Sequence, residues 1–400
     1  MNTVKAFIVV LFSALAGQLL AQKGVAAATE MLEREGMENI RITQEDGVVY
    51  AAVEPTAHRG TFRGAGVAVR KLGEAFPTAE TVRLTILEYQ RPAVQVEACR
   101  TGGAWTVKVE KAGALDERLD KIRKQKPSTG KIDIAVYPMV SFVNQRFDKL
   151  CEYVVSIAPS FETTLWRGNR IAFQPIFPVL WNVEDYRTDK NIHLGATYIR
   201  QDFNMGKRWQ ATASVGYFLY ERYGVHAELK YQLSQHIDFS ARVGVTGSAT
   251  VSSNRMWLDD LDRTSFMFKA NWYEPRSRLQ MSAQGGRFLY GDYGVRGDIT
   301  RHFGEYAIGL YGILTGGEHN AGFHFAIPMG GKRQKRDGFV RLRLPEYFDW
   351  EYSMVSYFEY DSQKMGRQYE EAPDVNRSAH YWQPRFVEQY LQKFLDGEIE

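Results

Sequence analysis

From Arg208 to Thr246, apolar and polar side chains alternate in one segment after another, and this period of two limits the chain more than any other feature. In Val225–Ser234 the odd positions are Val225, Ala227, Leu229, Tyr231 and Leu233, and the even ones are His226, Glu228, Lys230, Gln232 and Ser234. Ile237–Thr246 repeats the pattern, with Ile237, Phe239, Ala241, Val243 and Val245 against Asp238, Ser240, Arg242, Gly244 and Thr246. Arg208–Tyr220 follows it until Phe218 and Tyr220. A strand with one apolar and one polar face must meet two different environments. A soluble sandwich offers a core and water; a membrane barrel offers lipid and a polar lumen.

Three features favour the barrel. The strands run about 10–13 residues, where soluble strands usually run about 5–6. They fall near 132–143, 150–162, 168–179, 191–203, 207–220, 223–235, 236–248, 264–274, 277–290, 293–302, 304–314 and 319–328. Tight links (204–206, 234–235, 274–276, 303–304) alternate with the long connections 180–190 and 248–263, as in barrels with short periplasmic turns and long external loops. Trp209, Trp272 and Tyr306 then share one rim, as an interfacial girdle requires. Gly338–Leu344 and Trp350–Tyr360 are candidates for two more strands, giving a transmembrane antiparallel up-and-down β-barrel of 12 or 14 strands.

The N-terminus supplies the route. Met1–Lys5 carries one positive charge, Ala6–Gly17 is apolar or small, and Leu19-Leu20-Ala21 precedes Gln22. This reads as a signal peptide, residues 1–21, too short to span a bilayer. No Cys follows it, so a lipid-modified N-terminus is excluded. Residues 22–110 read as a small periplasmic α-β-β-α-β-β domain with a possible fifth strand, its first hairpin marked by Asp46-Gly47. Residues 111–130 read as a linker, 131–360 as the barrel, and 361–400 as a polar tail whose Pro384–Phe394 forms a terminal helix.

Composition rules out some functions. The 50 basic and 47 acidic residues give a net charge of +3, without the concentrated basic face that nucleic-acid binding needs. Two cysteines, Cys99 and Cys151, make no disulfide framework, and a single bond between them stays open. No constellation points to catalysis, and no cofactor or metal is assigned. His226 with Glu228, and His319 with His324, lack placeable partners. Asp259-Asp260-Leu261-Asp262 reads as an acidic external loop, and Gly64-Ala65-Gly66 lacks the strand and spacing of a phosphate loop.

The lumen is the better lead. Parity directs Arg170, Arg208, Glu228, Lys230, Arg242, Lys269, Arg278, Arg296 and Asp298 inward. Seven cations against two anions would favour anionic solutes or polymers. Alternatively the charges pair and plug a barrel of intermediate width.

One region also carries a resemblance. Gly286-Arg287-Phe288-Leu289-Tyr290-Gly291-Asp292-Tyr293-Gly294 is followed by Arg301-His302-Phe303-Gly304, Gly309-Leu310-Tyr311-Gly312, Thr315 and Asn320 to Pro328. This pattern resembles the YjbH-like outer-membrane proteins of exopolysaccharide production, best over 285–330, and the N-terminal unit is similar to a periplasmic module of that family. The family is often longer, with a further barrel. The resemblance implies a non-enzymatic outer-membrane barrel that assists export or assembly of an extracellular or capsular polysaccharide. Its expected partners are outer-membrane lipid, an anionic polysaccharide and periplasmic or outer-membrane export proteins. A general solute channel and an outer-membrane hydrolase are the alternatives.

Overall fold

The structure is a computed structural model that describes residues 22–58, 61–143, 151–183, 189–329, 335–354, 358–373 and 382–399; the expected signal peptide lies outside them. Strands make up 56% of the chain and helices 14%, so the mainly-β expectation holds. No helix among the described residues is long and apolar enough to cross a membrane. The chain divides into two compact units. Unit 1 comprises Met1–Ser128, Arg333–Lys335 and Val387–Glu400; unit 2 comprises Thr129–Lys332 and Arg336–Phe386.

Unit 1 opens with helix α1 (22–34). It continues with β1 (Glu38–Glu45), β2 (Val48–Glu54), α2 (Thr61–Ala75), β3 (Thr81–Glu88), β4 (Arg91–Thr101), β5 (Ala104–Lys111) and the short α3 (Glu117–Asp120). The five strands form one sheet in sequence order. Asp46 and Gly47 take positive φ of 50° and 77° in the β1–β2 hairpin, the conformation Asp-Gly favours. The β2–β3 pair is parallel, because α2 crosses over between them. Leu32, Val69, Leu72, Leu84 and Val96 are fully buried and supply the core.

The expected linker is part of this unit. Lys126 and Gln125 accept from the backbone amides of Asn39 and Ile40, and the Ser128 amide donates to Asn39 Oδ1 at 3.2 Å. Composition suggested a linker because the stretch is charged, but its backbone pairs with β1.

In unit 2 the strands are β6 (Ile132–Val143), β7 (Glu152–Thr163), β8 (Asn169–Phe173), β9 (Pro175–Trp181), β10 (His193–Leu194), β11 (Thr197–Met205), β12 (Trp209–Phe218), β13 (Arg222–Gln232) and β14 (Ile237–Ser252). After them come β15 (Arg255–Leu258), β16 (Arg263–Glu274), β17 (Leu279–Arg287), β18 (Tyr293–Phe303), β19 (Tyr306–Thr315), β20 (Glu318–Pro328), β21 (Val340–Arg343) and β22 (Tyr347–Ser353). They build a large antiparallel sheet in which long neighbours pair in sequence order, as in the β11–β12, β12–β13 and β13–β14 registers. Two expected strands are each broken in two: β8 and β9 part at Gln174, β10 and β11 at Gly195-Ala196. The Gln174 side chain accepts from the Ala196 amide at 3.1 Å, which holds the two breaks together. The expected loop 248–263 contains a hairpin, because β14 continues to Ser252 and pairs with β15.

The even strand count needs correction. β21 pairs with β6 in parallel, whereas β22 pairs antiparallel with β20. The meander alternates direction from β6 to β20, so β22 and β21 run the same way as β6, as two pieces of one strand interrupted at Leu344-Pro345-Glu346. A meander whose first and last strands run parallel has an odd number of strands, so among the described residues the count is neither 12 nor 14.

Among the described residues, two further helices, α4 (Phe358–Ser362) and α5 (Pro384–Leu395), complete the elements. The α5 residues from Val387 onward belong to unit 1, not to a free tail. There Tyr390 packs on Phe62 with ring centroids 5.5 Å apart, and the Arg70 guanidinium lies 4.4 Å over the Phe394 ring. Gly66 makes the approach possible, since a Cβ there would collide with Phe394. The glycines of the Gly64-Ala65-Gly66 run therefore serve packing. Gln392 and Glu388 accept from the amides of Val107 and Val109 at 3.1 and 2.9 Å, and Gln392 Nε2 donates to the Trp105 carbonyl at 2.8 Å. These side chains satisfy the outer edge of β5, which would otherwise be an open template for pairing.

Candidate functional site: the polar face of the large sheet

Alternation sorts the unit 2 side chains in the reverse of a soluble protein. On β12 to β14, Val215 is 52% exposed, as are Val225, Leu229 and Val243 to lesser degrees, while Thr212, Ser214, His226 and Thr246 between them are buried. Further along, β18 and β19 leave Val295, Ile299, Ile308, Leu310 and Leu314 exposed, Leu310 by 68%. Trp209, Trp272 and Tyr306 are exposed at the short-turn end, and Trp209 packs on Tyr231 at 4.5 Å.

The buried polar face is filled by three charge clusters and one returning segment. In the first, Asp133 on β6 receives Arg336 at 2.7 Å, Arg343 at 3.5 Å and a hydrogen-bonded Arg341. Arg343 also reaches Glu162 on β7 at 3.2 Å, and Glu162 pairs with Arg170 at 3.1 Å. In the third, Arg296 pairs with Asp298 at 2.7 Å and Glu351 at 2.8 Å, and its guanidinium sits 3.9 Å over the Tyr311 ring. His324 approaches Asp298 at 3.9 Å.

The central cluster grips residues 358–373, which come back onto the polar face. His226 Nδ1 and the Tyr369 hydroxyl are 2.8 Å apart, and Arg242 donates to the Tyr369 carbonyl at 3.0 Å. Glu371 lies 3.6 Å from Arg200 and 3.8 Å from His226, and Arg200 pairs with Asp202 at 3.1 Å. Tyr369 stacks on Phe218 at 5.3 Å. The backbone joins too: Leu219 donates to Glu370 O at 2.9 Å, Leu289 to Arg367 O at 3.0 Å, and Gly366 to Asp292 Oδ2 at 2.8 Å. Gly244 leaves the space that the Tyr369 hydroxyl occupies. Asp292, part of the Gly-Asp-Tyr-Gly motif, also accepts from the Thr315 hydroxyl at 2.6 Å, so that motif is where the returning segment attaches.

Of the sequence-assigned lumen residues, Arg170, Glu228, Lys230, Arg242, Lys269, Arg296 and Asp298 lie on strands with their charges on the polar face. Glu228 and Lys230 pair with each other at 3.2 Å. Lys269 forms no ion pair among the described residues. Arg208 and Arg278 do not join them. Arg208 is exposed in the β11–β12 turn and reaches the Tyr231 hydroxyl at 3.4 Å; Arg278 sits in the β16–β17 turn with φ of 55°. Parity was carried one residue too far at both strand ends, where the turn reverses the chain. The cation excess also shrinks, because Asp133, Glu162, Asp202, Glu351 and Glu371 neutralise much of it. Sequence reasoning missed the grip of Tyr369 and Glu371, because contacts between residues more than 120 positions apart leave no local signal.

Cys99 and Cys151 are free thiols. Among the described residues no group of three or more His, Cys, Asp or Glu is arranged to hold a metal ion. No family model matches the chain, and no curated protein matches it.

Proposed function

We propose that unit 2 closes into an up-and-down barrel in the bacterial outer membrane, with unit 1 in the periplasm and residues 358–373 occupying the lumen as a built-in plug. The observation that carries this reading is the reversed sorting of faces. Each large aliphatic or aromatic side chain left in water forgoes about 1.5–3 kcal/mol of burial, a cost that lipid removes. The polar face, with its paired charges, fits an enclosed interior. The ring-like strand order that returns from β22 to β6 supports closure. The test is flotation of the refolded chain with phospholipid vesicles; a chain that stays soluble and monomeric without detergent or lipid refutes it.

The barrel's work on this reading is non-enzymatic assistance to export or assembly of an extracellular or capsular polysaccharide. The resemblance over 285–330 supports it, and Asp292 within that region anchors the plug. Deleting the gene in its native host should reduce surface polymer, and unchanged polymer counts against the reading. A general solute channel is the second reading, and the occupied polar face weighs against an open pore. Planar-bilayer recordings should show a closed protein; steady conductance by the intact chain would favour the channel.

A further inference from the structure

On the polar face a row of hydrogen-bonding side chains crosses six strands in register. Gln210 of β12 stands opposite Lys230 of β13, and Lys230 opposite Ser240 of β14. Ser240 in turn stands opposite Lys269 of β16, Lys269 opposite Gln284 of β17, and Gln284 opposite Arg296 of β18. Two members are engaged: Lys230 pairs with Glu228, and Arg296 with Asp298 and Glu351. The other four are half-buried, and their side chains make no hydrogen bond or ion pair among the described residues. Asn271 lies two residues from Lys269 on the same face and is 8% exposed. Its Nδ2 donates to Asp238 at 2.8 Å, but its buried Oδ1 has no hydrogen-bond partner among the described residues.

Lys269 and the Asn271 Oδ1 atom therefore have opposite needs. The carboxylates of this region are engaged by other side chains: Asp298 and Glu351 by Arg296, Glu228 by Lys230, and Asp238 by Asn271. The ammonium still calls for an anion. A buried acceptor left without a donor costs free energy that a hydroxyl would recover. A ligand that serves both must carry a carboxylate and hydroxyls close together. The remaining groups narrow its chemistry, because Ser240, Gln210 and Gln284 both donate and accept and bring no further charge. A polyanion such as nucleic acid or polyphosphate is charged on every unit and would call for a run of unpaired Lys and Arg. We infer that Ser240, Lys269, Asn271 and Gln284 form a subsite for a uronic acid residue of a glycan. Lys269 takes the carboxylate, and Ser240, Gln284 and Asn271 Oδ1 take the ring hydroxyls. Gln210 extends the row, so the glycan runs across the strands, which step by about 4.8 Å from one neighbour to the next.

This inference deepens the polysaccharide reading and rests on the membrane-barrel reading, and the test separates the failures. The full chain, refolded in detergent, is titrated calorimetrically with tetramers of galacturonate, glucuronate and mannuronate, each as the carboxylate and as its methyl ester. At least one carboxylate form should bind, about tenfold more tightly than its ester, because the ester lacks a charge-assisted bond. Lys269→Gln should weaken the carboxylate form about tenfold and leave the ester unchanged. Gln284→Ala should weaken both forms alike, and polyphosphate should not compete. The same preparation is floated with phospholipid vesicles. If it floats, equal binding of carboxylate and ester, or no binding of any tetramer, overturns the subsite while the barrel reading stands. Competition by polyphosphate at matching strength makes this a general anion site and overturns the sugar assignment. A chain that does not float fails the barrel reading, and the subsite falls with it.

Discussion

Glu54 shows how far one buried carboxyl can set the behaviour of unit 1. It is 7% exposed at the end of β2, held by Asn39 and by the Gln90 amide. Burial, and then the neighbouring Glu38 carboxylate, push it from the ordinary 4.5 up to about 7. The folded chain therefore binds this proton more tightly than the unfolded chain. Its favourable contribution is complete below pH 4.5 and declines as pH rises to about 7, by roughly 3 kcal/mol. Amide exchange in β2 and β3, followed from pH 5 to pH 8, should show unit 1 losing protection as pH rises. Glu54→Gln should flatten that dependence, and an unchanged slope would reject the assignment. The sequence could not have marked Glu54, which is one of many glutamates until β1 and the 125–128 stretch close over it. Arg242 presents the same lesson from the other side. Parity placed it on the polar face, but its contact with Tyr369 depends on a residue 127 positions away.

At the scale of elements, α5 acts as a cap for the β5 edge. Replacing both Glu388 and Gln392 by Ala removes the side-chain acceptors of Val107 and Val109, at a cost of about 2–3 kcal/mol if each bond contributes the usual net amount. Denaturant unfolding of unit 1, read by protease protection, should shift accordingly; no shift would mean water satisfies that edge equally well. Residues 358–373 are held by His226, Arg242, Arg200 and Asp292, so weakening the grip should open the interior on the barrel reading. Arg242→Glu with Tyr369→Ala should convert a silent protein into a conducting one in planar bilayers, and silence in a correctly inserted variant would count against the plug. Element positions were highly legible in the sequence: period two placed the long strands and Asp46-Gly47 placed the first hairpin. Less legible were the breaks at Gln174 and Gly195, since a short interruption keeps the same alternation on both sides.

For the molecule as a whole, the reversed faces of the sheet decide which solvent it can tolerate. Substituting Val215 and Leu310 together by Arg would put charge on the expected lipid-facing surface. Vesicle insertion should then fall sharply, because a charge near the bilayer midplane costs about 2–4 kcal/mol. The paired change Ser214→Ala and Thr212→Ala on the buried face should leave insertion intact. Equal effects from both pairs would mean the faces are misassigned.

The sequence by itself determined the periods, the strand lengths, the turn chemistry and the presence of a separate α/β unit, because these depend on residues within a few positions of each other. Tertiary structure alone decided that the last strand runs the same way as β6 and pairs with it through β21, that residues 358–373 return to the polar face, and that the end of α5 completes the first unit. Each of those outcomes turns on groups more than a hundred positions apart meeting at the same strand edge or buried charge, and such meetings are settled only once the chain has folded back on itself.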